Sequence, residues 1–306
     1  MKMDTHMLRH RGIYLAAILT MLAFAFAFSK SGEPRSMLDS AGRTVSFPDN
    51  PQRVVSLAPS ITEIVFALGE SERLKGVTQH CDFPPEARSL PGVGSYVHLD
   101  LERIVALKPD LCIAVRDGNP KDVVMALESF GIPVYAVDPR SLETAVDTVL
   151  EVGQLLNATS KAEQLANQMR ARIERIKERV ADSNLRPRVF FQIGSAPIVS
   201  AGTNTVINEL ILAAGGQNLA EGPATYPLFS REQVLALKPD VIIITSMTKE
   251  SDLGEVKAEW KKYEGLPAVR DSRIFVVDAD LFDRVTPRIV DGLEKLAGII
   301  HPELFR

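Results

Sequence analysis

Residues 100–113 read DLERIVALKPDLCI and residues 230–243 read SREQVLALKPDVII. From Glu102 to Asp110, six of nine positions are identical to the stretch from Glu232 to Asp240. Each copy carries its own local physics. Asp100 and Ser230 are N-cap residues, and Ser230 with Gln233 has the spacing of a capping box. Glu102 and Glu232 follow in the first turn, where the helix N-terminus favours negative charge. The helix runs to Leu107 or Leu237. Lys108 and Lys238 suit its negative end, and Pro109 and Pro239 stop it. Asp110 or Asp240 then leads into an apolar strand. A capped helix feeding a buried strand, written twice, predicts two related α/β units.

The flanks repeat in the same order. RVVSLAP (53–59) parallels RVFFQIG (188–194), and SITEIVFALG (60–69) parallels TVINELILAAGG (205–216). GIPVYAVD (131–138) parallels DSRIFVVDAD (271–280). Short apolar strands alternate with short helices on both sides, the pattern of parallel α/β pairing. Between the copies, residues 141–182 contain no proline and a single glycine, Gly153. Leu165, Met169, Ile173, Ile176 and Val180 recur three and four apart, so one apolar stripe faces a core. The segment is one long helix or two abutting ones, and it connects the lobes. The expected division is a signal peptide at 1–29, an extension at 30–50 and an N-terminal α/β lobe at 51–140. An inter-lobe backbone helix at 141–182 and a C-terminal α/β lobe at 183–306 follow.

The chain has 306 residues, 45% hydrophobic and 24% charged, with a formal net charge of −4. That suits two globular domains and excludes a nonspecific polyanion binder. Arg9, His10 and Arg11 precede an apolar run from Ile13 to Phe28, and the small residues Ala25, Ala27 and Ser29 at its exit have the spacing of a cleavage site. This is the pattern of a secretory signal, with an uncleaved N-terminal anchor as the alternative. The only cysteines are Cys81 and Cys112. Export would permit a disulfide between them; two buried free thiols are the other reading.

On these motifs the sequence resembles the periplasmic binding proteins of ABC importers for cobalamin, haem and iron–siderophores, closest to the cobalamin-binding branch. The resemblance covers about residues 52–300. It rests on RVVSLAPSITEIVFALG, GVTQHCDFPPEA, LERIVALKPDLCIAVRDGN, SREQVLALKPD and DLFDRVTPRI. It implies two Rossmann-like α/β lobes joined by a single long backbone helix, with the ligand in the cleft between them. It implies a binding protein that delivers its cargo to a dimeric inner-membrane permease with ATPase subunits; no resident cofactor is expected, and a monomer is the default expectation. Glu102 and Glu232 would dock on arginines of that permease. First-turn capping explains each glutamate from local physics; docking is what the resemblance adds.

The family's ligand-contacting positions fall on His80, Tyr96, Val115, Ile193, Tyr226, Asp280 and Arg284. A wide, flat corrin calls for aromatic faces, apolar contact and a few orienting polar groups. The chain departs from the cobalamin-binding pattern here. It has tyrosine at 96 and 226 where that pattern has tryptophan, and it lacks large aromatics at 80, 115 and 193. The pocket is therefore expected to be less aromatic, which keeps haem and ferric siderophores as alternative ligands. His80 is a candidate axial ligand of a metallo-tetrapyrrole. Asp280 and Arg284, four apart, could pair with each other or reach ligand amides.

Two other classes compete. An enzyme would need a motif, and the sequence has no phosphate-binding glycine loop, no G-x-S-x-G elbow and no H-E-x-x-H. Glu63, Asp82 and Glu86 do not form a convincing acid–base pair. A transition-metal receptor could use His80, Cys81, Asp82 and His98, but all four lie in one lobe.

Overall fold

The computed structural model describes residues 33–245 and 253–305. The expected signal peptide at 1–29 lies outside the described residues. The chain first forms a hairpin of β1 (Arg35–Leu38) and β2 (Thr44–Phe47), paired antiparallel. Val45 and Phe47 on one face of β2 are buried, and the Tyr135 hydroxyl donates to the Leu38 carbonyl at 3.0 Å. From residue 35 onward the expected extension is thus a strand pair packed on the N-terminal lobe.

That lobe contains β3 (Val54–Ser56), α1 (Pro59–Ala67), β4 (Leu74–Gly76), the two-residue strands β5 (Gly94–Ser95) and β6 (His98–Leu99), and α2 (Leu101–Ala106). It closes with β7 (Leu111–Val115), α3 (Lys121–Ser129) and β8 (Val134–Val137). The sheet order is β4-β3-β7-β8, all parallel. Two helices follow, α4 (Leu142–Leu155) and α5 (Thr159–Ala181). The C-terminal lobe holds β9 (Arg188–Ser195), β10 (Ile198–Ser200), α6 (Val206–Ala213), β11 (Gln217–Asn218), β12 (Leu228–Phe229), α7 (Arg231–Leu237) and β13 (Val241–Ile244). It ends with α8 (Leu253–Lys261), α9 (Pro267–Arg270), β14 (Ile274–Val276) and α10 (Ile289–Ile300). Its sheet runs β12-β10-β9-β13-β14, with β11 also on β9.

The parallel core β9-β13-β14 reproduces β3-β7-β8, as the repeated sequence predicts. The likeness extends to single groups. The Asp110 carboxylate accepts the backbone N–H groups of Gln52 and Arg53, and the Asp240 carboxylate accepts that of Arg188. Each aspartate locks the start of one parallel strand to its neighbour. Pro109 and Pro239 disfavour helical backbone at the residue before them, and Lys108 and Lys238 both turn left-handed at φ 48°. The Asp100 cap accepts from the Arg103 N–H at 3.0 Å. Ser230 and Gln233 form the reciprocal capping box.

The connector differs from a single continuous rod: it is two helices, with only α5 long. At 23 residues, α5 spans about 34 Å. The break has a local cause. Asn157 adopts φ 56°, its N–H bonds the Gln154 carbonyl and the Ala158 N–H bonds the Gly153 carbonyl, which is the Schellman arrangement. Gly153 then lets α5 fold back closely, since a Cβ there would lie 2.2 Å from that of Ala162.

The strands alternate between two packed layers. Leu111 and Ile113 of β7, like Val241 and Ile243 of β13, join one continuous core that includes α1, α4, α5, α6 and α10. Cys112 and Ala114 face a second cluster with Ile104 of α2; Ile242 and Ile244 face a third with Val234 of α7. The central core therefore crosses from lobe to lobe. It also decides the cysteine question. Cys81 lies in the central core and Cys112 on the opposite face of the sheet, and both are free thiols. Burial raises both thiols, Cys112 to about 12.

Candidate functional site

In open α/β sheets the carboxyl ends of the parallel strands open onto the ligand crevice. Val115 is the last residue of β7, Ile193 lies near the end of β9, and His80 and Asp280 each follow a parallel strand by four residues. Glu63, Asp82, Asp280, Arg284 and Arg288 meet here across the two lobes. Arg284 Nη1 lies 2.8 Å from Asp82 and 3.4 Å from Glu63, both of the N-terminal lobe, while its Nη2 lies 2.9 Å from Asp280. Arg288 grips Glu63 through two contacts of 2.7 Å. The Arg288 guanidinium also sits 3.8 Å from the centre of the Phe83 ring, a cation–π geometry.

Glu63 is buried on α1, its side chain only 3% exposed. A buried carboxylate needs ionic partners, and the two arginines supply them. Burial, opposed by Arg284 and reinforced by Asp82, raises the Asp280 carboxyl above its ordinary value. Asp283 is more strongly affected: burial, then the charge of Asp280, raises it to about 7. Its Oδ2 is buried without a hydrogen-bond partner.

Tyr226 is 59% exposed on the C-terminal side. Surrounding protein, then Asp283 and Tyr96, raise its phenol, so the two tyrosines are in electrostatic reach of each other. Tyr96 is held by Asn119, which is 8% exposed. The Asn119 amide donates to the carbonyls of Leu57 at 2.7 Å and Tyr96 at 2.9 Å, and its Oδ1 accepts the Val115 N–H at 2.8 Å. One side chain thus ties three loops of the N-terminal rim together. Gly118 leaves room for the Tyr96 ring, which lies 3.4 Å from where a Cβ would stand.

A cavity of about 500 Å³ opens on the N-terminal side, and its walls include Thr78, His80, Asp82 and Arg88. His80 is exposed there, with Gln79 as its side-chain neighbour at 3.1 Å. Among the described residues no three His, Cys, Asp or Glu side chains assemble as a metal-holding group. The Cys81 thiol of the imagined metal set is occupied by Thr62 and Thr78, at 3.1 and 3.2 Å. Val115 and Ile193 are half-buried against the central core, and Phe282 is fully buried beside Phe191.

A family model described as periplasmic binding protein matches residues 54–281. The chain belongs to the periplasmic binding protein family. A vitamin B12-binding protein of Yersinia pestis is 32% identical over 246 residues, 80% of this chain and 85% of that protein. The crystal structure of the periplasmic vitamin B12 binding protein BtuF of Vibrio cholerae matches with a TM-score of 0.74 and 28% identity, covering 84% of this chain and 99% of that one. A periplasmic haem-binding protein from Roseiflexus sp. RS-1, in its apo form, matches with a TM-score of 0.74 and 30% identity, covering 83% and 99%.

Within this periplasmic binding protein, the expected contacts separate into two sets. Asp280 and Arg284 do pair, but Arg284 reaches further, into the opposite lobe. Tyr96 and Tyr226 are in electrostatic reach of each other, and His80 lines the cavity wall. Sequence reasoning missed Glu63 and Arg288 as partners and Asn119 as an organiser. Glu63 had one visible signal: a charge between Thr62, Ile64 and Val65, which are all buried with it. Glu102 and Glu232 are both exposed at the second position of their helices.

Proposed function

We propose that this protein is the periplasmic solute-binding component of an ABC importer and that it carries cobalamin or a related corrinoid. The observation that carries this reading is the pair Tyr96 and Tyr226, one from each lobe and in electrostatic reach of each other and of Asp283, in a protein whose inter-lobe arginines are engaged by carboxylates. Such a cleft offers flat apolar faces and hydroxyls to a bulky ligand rich in amides. Exported through the segment at 1–29, the protein captures its ligand without chemical conversion. It then docks on a dimeric permease through Glu102 and Glu232, and ATP-driven movement of the transporter opens the cleft. The ligand is cargo rather than cofactor. The vitamin B12-binding relatives support this reading.

Haem is the second reading. It is supported by the similarity to the haem-binding structure and by His80 and Tyr96 as candidate axial residues of the N-terminal lobe. Calorimetric titration of the purified protein with cyanocobalamin, with haemin and ferrichrome as competitors, separates the two. Saturable one-to-one binding of cyanocobalamin that haemin does not displace supports the corrinoid. Binding of haemin alone overturns it.

A further inference from the structure

The cavity of about 500 Å³ in the N-terminal lobe has two charged residues on its wall, Asp82 and Arg88. They differ in what they are bound to. Asp82 is engaged by the Arg284 guanidinium of the other lobe at 2.8 Å. Arg88 is exposed, and among the described residues it has neither an ion-pair nor a hydrogen-bond partner. Its backbone is nonetheless fixed. Arg88 lies in a 3-10 turn, Pro85–Ser89, anchored by the fully buried Ala87. Two backbone bonds close the turn, from the Ala87 N–H to the Pro84 carbonyl and from the Leu90 N–H to the Ala87 carbonyl. The neighbouring wall adds a neutral donor. The Gln79 side-chain nitrogen lies 3.1 Å from Nε2 of His80. An amide nitrogen can only donate, so the imidazole accepts at Nε2 and, in its neutral form, carries its own N–H on Nδ1. The cavity is also tied to the cleft twice. Asp82 belongs both to its wall and to the inter-lobe ion cluster, and the Gln79 backbone N–H donates to the Gly94 carbonyl at 2.8 Å, two residues before Tyr96.

We infer that this cavity is the subsite for an anionic group of the cargo, a phosphodiester or a carboxylate, and that Arg88 is the residue that binds it, with His80 as a second donor. This rests on the solute-binding role proposed above and adds a charge requirement to it. A guanidinium presents paired N–H donors that match two oxygens of a phosphate or a carboxylate. The inter-lobe arginines are already committed to the protein's own carboxylates: Arg284 contacts Asp82 and Asp280, and Arg288 contacts Glu63 at both nitrogens. An anion that recruited either would have to displace one of these groups and leave it unpaired in a partly buried place. Arg88 exchanges only solvent. Cobalamin has such an anion in the phosphodiester of its nucleotide loop, and haem has two in its propionates, so both cargo readings meet here in one chemistry.

Calorimetry at pH 7.5 and low salt compares the unaltered protein with Arg88→Gln, on ligands with and without the anion. Cyanocobalamin is paired with dicyanocobinamide, the same corrin without the nucleotide loop. Haemin is paired with haemin dimethyl ester, in dilute detergent. Arg88→Gln is expected to weaken cyanocobalamin about tenfold, a difference of about 1.4 kcal/mol, while dicyanocobinamide affinity and the melting temperature stay at the parent values. Arg88→Lys should recover part of the loss, and the parent's advantage should shrink at higher salt. Unchanged cyanocobalamin affinity in Arg88→Gln, or an equal loss for dicyanocobinamide, overturns the inference and leaves the corrinoid reading standing. If no corrinoid binds and Arg88→Gln weakens haemin but not its ester, the subsite stands and the corrinoid reading falls. If haemin and its ester respond alike with no corrinoid bound, or if no ligand binds at all, both fall.

Discussion

Glu63 and Arg288, 225 residues apart in the chain, join the two lobes through a two-pronged ion pair with both contacts at 2.7 Å. Glu63 comes from the first helix of the N-terminal lobe, and Arg288 immediately precedes the last helix of the C-terminal lobe. Both side chains are well shielded, at 3% and 18% exposure. Removing one partner leaves the other charged, buried and short of compensation. Glu63→Gln is therefore expected to destabilise the protein by about 3 kcal/mol, the lower end of the range for breaking a buried pair. Urea unfolding measures it. The double variant with Arg288→Met should cost less than the sum of the two single changes; simple additivity would show the pair to be energetically idle.

Asn119→Ala removes three hydrogen bonds at once and leaves the carbonyls of Leu57 and Tyr96 and the N–H of Val115 without their partner. A loss of about 1–3 kcal/mol in stability follows from stranding buried polar groups. Ligand affinity should fall as well, because Tyr96 is no longer fixed. Unchanged affinity in a correctly folded variant would remove Tyr96 from the binding face.

Tyr226→Ala alters an exposed ring, 59% accessible, so the melting temperature should barely move. Affinity for the bound ligand is expected to fall roughly tenfold, the order of a lost aromatic contact. Titration of the variant beside the parent protein reads both effects.

Glu102 and Glu232 stand exposed on the first turns of two equivalent helices. Replacing both with alanine should abolish ligand uptake by a reconstituted transporter while ligand affinity in solution stays the same. The cost to the fold is small, about 0.3–1 kcal/mol for each first-turn charge. Undiminished uptake would refute docking through these carboxylates.

The Asp283 carboxyl is raised to about 7, first by burial and then by the charge of Asp280. Between its ordinary value near 4 and about 7, the folded protein holds a proton that the unfolded chain has released. Stability from this group therefore falls as pH rises through that window. Asp39, Glu70 and Glu294 have lowered carboxyls and act in the opposite sense, but only at pH values below the ordinary carboxylate range. The melting temperature should thus drop from pH 5.5 to pH 8, and Asp283→Asn should flatten that slope. An identical slope in the variant would mean that Asp283 ionises normally.

The repeated blocks carried much of the architecture because each is a self-contained local instruction: a cap, an apolar face, a proline stop and a buried strand. Asp100, Ser230, Pro109 and Pro239 all act where their neighbours in sequence indicate. The break between the connector helices was written just as locally, in Asn157, but an asparagine is compatible with helix as well as with a left-handed turn. The cleft was less legible. Arg284 and Asp280, four apart, could be foreseen as a pair; Arg284 with Asp82, or Arg288 with Glu63, could not, since their approach depends on how two lobes are set against each other. The cysteines show the same limit. Their separation in sequence says nothing of the β-sheet that stands between them.

The shared apolar interior has a consequence for how the molecule comes apart. Leu111 from one half, Val241 from the other and Met169 from the connector are bound into one cluster, so neither half retains a complete oil-like centre on its own. Heat or urea should collapse the whole protein in one concerted step, and a fragment cut at the connector should be insoluble rather than a working half.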